Sequence, residues 1–335
     1  MTATTHTLDA HTPVLCAKVC ACLLSDNTTL PQRDLQDVPP NAKGHFLDAT
    51  FGRGGYTKAL FEQGATRITA IDRDEEAISF GQKVFQKEIK EERLFLHHAK
   101  FSDLDRYIPN KSLEGVVFDV GVSSPQLDTP ERGFSFLQDG PLDMRMGLCT
   151  HTAADFLNTA GETEIADVLF NFGGERKSRS LAKRIVQQRT QKPFRTTQDV
   201  VALFGARAHL DRAGRGGAIH PATRTFQALR ILVNDELSEL QIALHKAADA
   251  LVTGGRLVCV AFHSAEDRIV KHFLRPPTTQ NASRHVPQSL SNNAPRAFDV
   301  KGKQPIKPSL EEIKDNPRAR SARLRWGIKR GDAHA

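Results

Sequence analysis

From His45 onward, short apolar runs alternate with amphipathic stretches. His45–Thr50 is a short apolar run carrying an acid, Asp48. Phe51–Gly64 is a Gly turn leading into a helix that stops at Gly64. Arg67–Asp74 reads as a second strand, again ending in an acid, and Glu75–Glu92 as an amphipathic helix. Arg93–Phe101 is a third strand, and Leu113–Gln126 a fourth that runs into a loop of small residues. Strands alternating with helices predict an α/β domain with a mostly parallel sheet. The alternation then pauses. Between 135 and 219 no strand pattern stands out, whereas Ile165, Val168, Leu169 and Phe172, then Leu181, Ile185 and Val186, fall at helical spacing. It resumes with a helix from Pro221, a strand at Arg256–His263 and a helix from Ser264.

This pattern reads as a helical domain, 135–219, inserted between a first part, 1–134, and a second, 220–335, of one open-sheet domain. Residues 1–10 are polar, and 25–44 are turn-rich. The stretch 276–308 is rich in Pro, Asn, Ser and Gln and reads as a long loop. A helix from Pro13 to about Leu24 precedes the sheet.

Composition narrows the class. The chain has 335 residues, 39% hydrophobic and 25% charged, enough apolar content for a core. No apolar run approaches the roughly 18 residues of a membrane span, and the first residues lack the charged-then-apolar order of a signal peptide. The five cysteines then read as reduced thiols of a cytoplasmic protein. Cys16, Cys20 and Cys22 cluster, but nothing completes a zinc-type ligand set. Small buried residues on a helix are the better reading, and no metal is expected.

The Gly turn, Asp48-Ala-Thr-Phe-Gly52-Arg-Gly54-Gly55-Tyr56, follows one strand, and the next strand ends in Asp72, 24 residues after Asp48. Glycines let a ligand approach the backbone, and an acid at the second strand end can accept from ribose hydroxyls. A dinucleotide fingerprint needs a third glycine where this chain has Thr57. S-adenosylmethionine has no pyrophosphate and fits better. Asp119 ends the fourth strand. In open α/β sheets ligands lie outside the carboxyl ends of the strands, so Asp48, Asp72 and Asp119 should converge. The loop Ser123-Ser124-Pro125-Gln126 offers hydroxyls and a carboxamide. It partly resembles the Ser-Pro-Pro-aromatic loop of cytosine amino-methyltransferases but lacks the aromatic. Phe134 or Phe136 could stack on a flipped base in its place; core packing is the other reading.

The net charge of +7 is modest, from 46 Lys and Arg against 39 Asp and Glu. Its placement says more. Arg176, Lys177, Arg179, Lys183, Arg184 and Arg189 lie in one acid-free stretch. Arg318, Arg320, Arg323, Arg325, Lys329 and Arg330 lie in another. Two such clusters favour RNA contact over solvated faces. On a wheel from Pro221, Phe226, Leu229, Val233, Leu237 and Leu240 form an apolar stripe, opposite Arg224, Gln227 and Asn234. His263 precedes Ser264, which with Asp267 resembles a capping box. A base near the acceptor amine is one reading of His263, and a structural hydrogen bond is the other.

Longer motifs point to a family. They are His11-Thr-Pro-Val-Leu15, the turn above, Ala70-Ile-Asp-Arg-Asp74, Asp119-Val-Gly-Val-Ser-Ser-Pro-Gln-Leu-Asp128 and Arg132-Gly-Phe-Ser-Phe136 with Asp139-Gly-Pro-Leu-Asp-Met-Arg-Met146. Further on come His220 to Arg230, Phe262-His-Ser-Ala-Glu-Asp-Arg268 and Asn316-Pro-Arg-Ala-Arg-Ser-Ala-Arg323. In this order, almost end to end, the chain resembles the bacterial RsmH/MraW family of small-subunit rRNA cytosine-N4-methyltransferases. The resemblance implies a Rossmann-like class I S-adenosylmethionine methyltransferase sheet with an inserted all-helical domain. It implies methylation of N4 of a decoding-centre cytidine, with rRNA or the 30S subunit as partner and no membrane. By motif position, the donor would meet Gly54, Gly55, Tyr56, Asp72, Phe101, Asp119 and Gln126. Asp119, Ser123 and Ser124 are the catalytic candidates. The chain departs from the family pattern at Tyr56, where His is usual, at Ala265, where Leu is frequent, and at Gly173-Gly174-Glu175, where Gly-Glu-Glu is common. Two rivals stand beside this reading: a dinucleotide-dependent oxidoreductase, and an assembly factor that binds RNA without chemistry.

Overall fold

The computed structural model describes residues 13–24, 44–205, 220–276, 297–300, 302 and 304–331. The polar N-terminus, His11 and Thr12, most of the turn-rich 25–44 segment, 206–219 and most of the 276–308 loop lie outside them.

Seven strands form one sheet: β1 (His45–Asp48), β2 (Arg67–Asp72), β3 (Leu94–His98), β4 (Leu113–Asp119), β5 (Leu251–Ala261), β6 (Phe298–Asp299) and β7 (Arg323–Lys329). Their order is β3-β2-β1-β4-β5-β7-β6. The first five are mutually parallel, and β7 runs antiparallel to both β5 and β6. This is the class I Rossmann-like methyltransferase arrangement. The sequence pattern anticipates the five parallel strands. It leaves β7 unmarked, because Arg323, Arg325 and Lys329 interrupt its apolar residues.

The strands are apolar on both faces, as a sheet covered on both sides requires. Phe46, Ile68, Ala70, Val117, Val258, Val260, Leu324 and Trp326 enter one core. The helix Cys16–Leu24 packs there through Val19, Cys20, Cys22 and Leu23. Leu47, Ile71, Val116, Phe118, Leu257 and Cys259 enter the other core, with Leu240, Ala243, Leu244 and Ala247 of the helix Glu236–Ala250. All five cysteines are free. Burial raises the Cys22 thiol to about 12, in keeping with a packing role for this cluster.

The chain divides into two compact units, 1–121 with 239–335, and 122–238. The second is helical and has its own core, built on Leu142, Met144, Leu157, Ile165, Leu169, Ile185 and Phe194. The span 135–219 encloses less than this unit. The helix Ala222–Asn234 joins it through Ala222, Phe226, Ala228 and Leu229. The apolar stripe from Phe226 to Leu240 hides that boundary. Asp235, in the left-handed region at φ 50°, breaks the helix inside the stripe, so Leu240 serves the sheet domain while Phe226 serves the helical one. Asn234, opposite the apolar stripe, is fully buried. Its Nδ2 donates to Met144 O at 2.8 Å, and its Oδ1 accepts from Met146 N at 2.9 Å.

Candidate active site

Asp48, Asp72 and Asp119 occupy the last positions of β1, β2 and β4. Because β1 pairs in parallel with both β2 and β4, all three stand at one end of the sheet. Hydrogen bonds tie the strand ends together. The Phe51 amide donates to Ile71 O at 3.0 Å, and the Asp119 amide to Thr50 Oγ1 at 2.7 Å. Asp72 Oδ2 accepts from Gly52 N at 2.7 Å and Oδ1 from Asp74 N at 2.8 Å. The second acid is therefore locked to the Gly turn.

Thr57 has a definite role at the place of the missing third glycine. It is fully buried, and its hydroxyl donates to Asp48 Oδ2 at 2.7 Å. The glycines divide by what surrounds them. A Cβ at Gly54, where φ is +70°, would meet Phe85 and Phe51 at 2.6 and 2.7 Å; one at Gly55 would meet Pro13 at 2.2 Å. At Gly52, with φ +53°, a Cβ would have no atom of a described residue within 4 Å. The turn thus packs tightly on one side and is open at Gly52. Tyr56 is buried, and its hydroxyl donates to Val14 O at 2.6 Å. The same hydroxyl lies near Asp119 and favours that carboxylate.

The three carboxyls share an electrostatic condition. Burial raises Asp48 and Asp72 to about 6, against donated hydrogen bonds that favour ionisation. Burial raises Asp119 to about 7; the nearby Tyr56 hydroxyl opposes this, while the charges of Asp48 and Glu266 add to it. Asp119 Oδ1 is buried and has no hydrogen-bond partner among the described residues. A buried acceptor left unmatched costs about 1–3 kcal/mol.

Phe101 begins a 3-10 turn after β3, its ring 5.9 Å from Phe118 in an edge-on contact. Its flanking residues are anchored by Glu239, which the sequence reading missed. Lys100 Nζ donates to Glu239 Oε1 at 2.9 Å, and the Ser102 hydroxyl donates to Glu239 Oε2. Lys246 Nζ donates to the Ser102 carbonyl at 2.6 Å and to Asp105 at 2.7 Å. A glutamate on an amphipathic helix gives no sign of this in sequence, because its partners are 137 and 139 residues away.

His263 is the N-cap of the helix Ser264–Leu274. Its Nδ1 accepts from Glu266 N at 3.4 Å, and Glu266 Oε2 accepts from the Phe262 and His263 amides. The capping box is therefore one residue earlier than the Ser264–Asp267 pairing expected. Asp267 instead meets Arg325 at 2.6 Å and Arg323 at 3.1 Å.

In the helical unit, Ser123 caps the short helix Ser124–Asp128, and Ser123 N donates to Gln126 Oε1 at 3.0 Å. Gln126 is buried. Phe134 lies in the helical core. Phe136 packs between His220 and Phe226, 4.9 Å from each ring. Core packing thus accounts for both aromatics offered as base-stacking candidates. Gly174, where the chain departs from the expected pattern, and Gly173 before it have local reasons. A Cβ at Gly173 would lie 2.5 Å from Arg224 O, and Gly174 adopts φ +63°.

The model of the MraW methylase family matches residues 9–330. This chain belongs to the MraW methylase family. Among its curated relatives, a protein named ribosomal RNA small subunit methyltransferase H from Beijerinckia indica subsp. indica is 51% identical over 291 residues, 85% of this chain and 80% of that protein. One of the same name from Acidiphilium cryptum is 48% identical over 314 residues, 92% of this chain and 98% of that one. Among solved structures, an rRNA methylase from Streptococcus thermophilus is 12% identical, covers 86% of this chain and 88% of that chain, and has a TM-score of 0.37. That last likeness is too slight to carry weight. Family membership gives the chain its chemistry, methyl transfer. No helix among the described residues is long and apolar enough to cross a membrane.

Proposed function

We propose that this MraW-family protein transfers a methyl group from S-adenosylmethionine to N4 of a decoding-centre cytidine in small-subunit rRNA. The observation that carries this is the meeting of three strand-end acids with a Gly turn, in a chain whose relatives are named as small-subunit rRNA methyltransferases. The residues present fit the donor. Open space at Gly52 and the unpartnered Asp119 Oδ1 lie at the same end of the sheet. Each Asp72 oxygen accepts one backbone N–H and retains a second acceptor site for a ribose hydroxyl. Gly54, Gly55 and the Tyr56 backbone would meet the donor's amino-acid end. Phe101 and Gln126 would border it.

When bound, the donor supplies a methyl group on a cationic sulfur, open to in-line displacement. The protein's own work is to orient the acceptor amine and take one proton from it. Asp119 is the group for that proton. A carboxyl near 7 is still a carboxylate in about half the molecules at neutral pH and is a stronger base than an exposed one. Ser123 and Ser124 would orient the acceptor. The basic surfaces would hold the rRNA, in the free strand or in the 30S particle.

Labelled donor with purified 30S subunits, followed by mapping of the modified base, tests the assignment. Label on a protein, a uridine or an adenine overturns it. Asp119→Ala is expected to abolish transfer with little change in RNA affinity, and unchanged transfer removes Asp119 from the site. NAD bound tightly by a protein that ignores S-adenosylmethionine would restore the oxidoreductase reading.

A further inference from the structure

The six cations between Arg176 and Arg189 look alike in sequence, and the structure sorts them. Arg189 Nη1 donates to Leu157 O at 2.8 Å and to Ala160 O at 2.7 Å, at the end of the helix Ala153–Thr159. Arg184 donates to Leu203 O. These two hold helix ends together. Arg176, Lys177, Arg179 and Lys183 are exposed, and none of their side chains makes a hydrogen bond or ion pair with another described residue. They gather around the first turns of the helix Ser178–Gln191, whose first turn holds no acid. Cations there oppose the helix dipole, so helix stability does not account for them.

An aromatic stands beside them. Phe170, near the end of the helix Glu162–Asn171, is 59% exposed, while its neighbours Val168 and Leu169 are buried. The two helices pack together through Leu169, Leu181, Ala182 and Ile185. The connection between them folds back on Phe170. Gly174 N donates to Phe170 O and Glu175 N to Leu169 O, each at 3.0 Å. The acid of that connection, Glu175, accepts from Lys177 N at 2.8 Å. An exposed ring and four cations without a side-chain partner among the described residues therefore share one end of a helix pair.

We propose that Phe170, Arg176, Lys177, Arg179 and Lys183 form a binding strip for single-stranded RNA, a role that rests on the RNA-substrate reading above. Phosphates meet the cations and a base stacks on Phe170. A single strand is the occupant because a duplex keeps its bases stacked inside and leaves an exposed ring without a partner. The strip belongs to the helical unit and uses none of the strand-end residues.

The test is equilibrium binding of the full-length protein to a fluorescein-labelled oligouridine of about 12 nucleotides, and to an RNA duplex of equal length, over a range of salt. The variant R176A/K177A/R179A/K183A is expected to bind the oligouridine at least about tenfold more weakly. Its log–log salt slope should be smaller by about 3, at roughly 0.7 per phosphate lost. F170A should bind about tenfold more weakly with an unchanged slope; F170Y should restore binding and F170L should not. Wild-type affinity and slope in the four-cation variant overturn the strip. So does F170L binding like wild type, which would mark an apolar protein-docking face, or preference for the duplex with no effect of F170A. Unchanged donor affinity in these variants confirms an intact fold. Methylation of 30S subunits separates the two levels. If no RNA is methylated while the variants lose oligouridine binding, the strip survives and the rRNA reading falls. If methylation proceeds while the variants keep oligouridine binding and subunit KM, the strip alone falls.

Discussion

The two acid-free basic stretches, 176–189 and 316–330, are equals in sequence, six cations each, and unequal in the fold. In the second, Arg325 donates to both oxygens of Asp267, and Arg323 adds a third hydrogen bond. Lys329 lies over the Phe298 ring, and Arg330 approaches Asp299 at 3.8 Å. In the first, among the described residues, only Arg184 and Arg189 find partners for their side chains, and the other four cations do not. The difference comes from secondary structure. Residues 323–329 form an interior strand between β5 and β6, and alternation places Arg323 and Arg325 on the face packed by the helix Ser264–Leu274. Residues 178–191 form a helix with one buried stripe, which leaves the rest of its circumference to solvent. A run of cations is thus evidence for nucleic acid only after the fold has subtracted the cations it uses itself.

Mutations sharpen the contrast. The largest effect is expected at Asp267. Asp267→Ala leaves Arg325 half-caged without its carboxylate and should lower stability by about 3 kcal/mol, read from urea unfolding, with oligouridine affinity unchanged. A drop in RNA affinity at intact stability would contradict the structural role of that stretch. Next comes Arg189→Ala, which frees two helix-end carbonyls and should cost about 1–2 kcal/mol. Arg179→Ala should stay within about 0.5 kcal/mol of wild type, and a larger loss would show that Arg179 belongs with the structural cations.

Acids divide in the same way, and pH separates them. Burial pushes the Asp267 carboxyl up, but Arg325 and Arg323 outweigh it, so it titrates below its ordinary 3.8. The stability it provides is present above that value and lost as pH falls through the folded one. Asp119 has the opposite sign. Its folded value of about 7 means the native state binds more protons between roughly 3.8 and 7, so its contribution falls as pH rises through that window. Asp119→Asn should remove that decline and raise the urea midpoint at pH 8. In the wild type, transfer at low substrate should rise with pH through about 7, following the carboxylate. A flat profile would separate Asp119 from the proton. A kinetic change is expected at Glu239. Glu239→Ala should raise the donor KM severalfold with kcat little changed, because Phe101 loses its anchored flanks, and Glu239→Gln should recover part of it. If Phe101→Ala leaves the donor KM unchanged, Phe101 is not a donor contact.

Much of the fold was legible because its signals are local. Strand ends at Asp48, Asp72 and Asp119, the Gly turn between them, and Thr57 in place of a glycine are all read from neighbours in the chain. β7 was not legible, since its burial depends on Asp267 neutralising cations that read as surface. The helical unit's boundary was missed because one apolar stripe serves two cores across the break at Asp235. Phe134 and Phe136 show the converse: aromatics near a motif turn out to be packing, while Phe170, unremarked in the pattern, is exposed.

By itself the sequence determined the order of strands and helices, the acids at the strand ends, and the family. Those depend on periodicity and on motifs a few residues long. Tertiary structure alone decided which cations are free, which aromatics are exposed, and that Glu239 steadies the turn bearing Phe101. Those properties are set by partners 19 to 139 residues away, as with Arg184 and Leu203 or Lys100 and Glu239. A charge or ring has no fixed meaning until folding determines what stands opposite it.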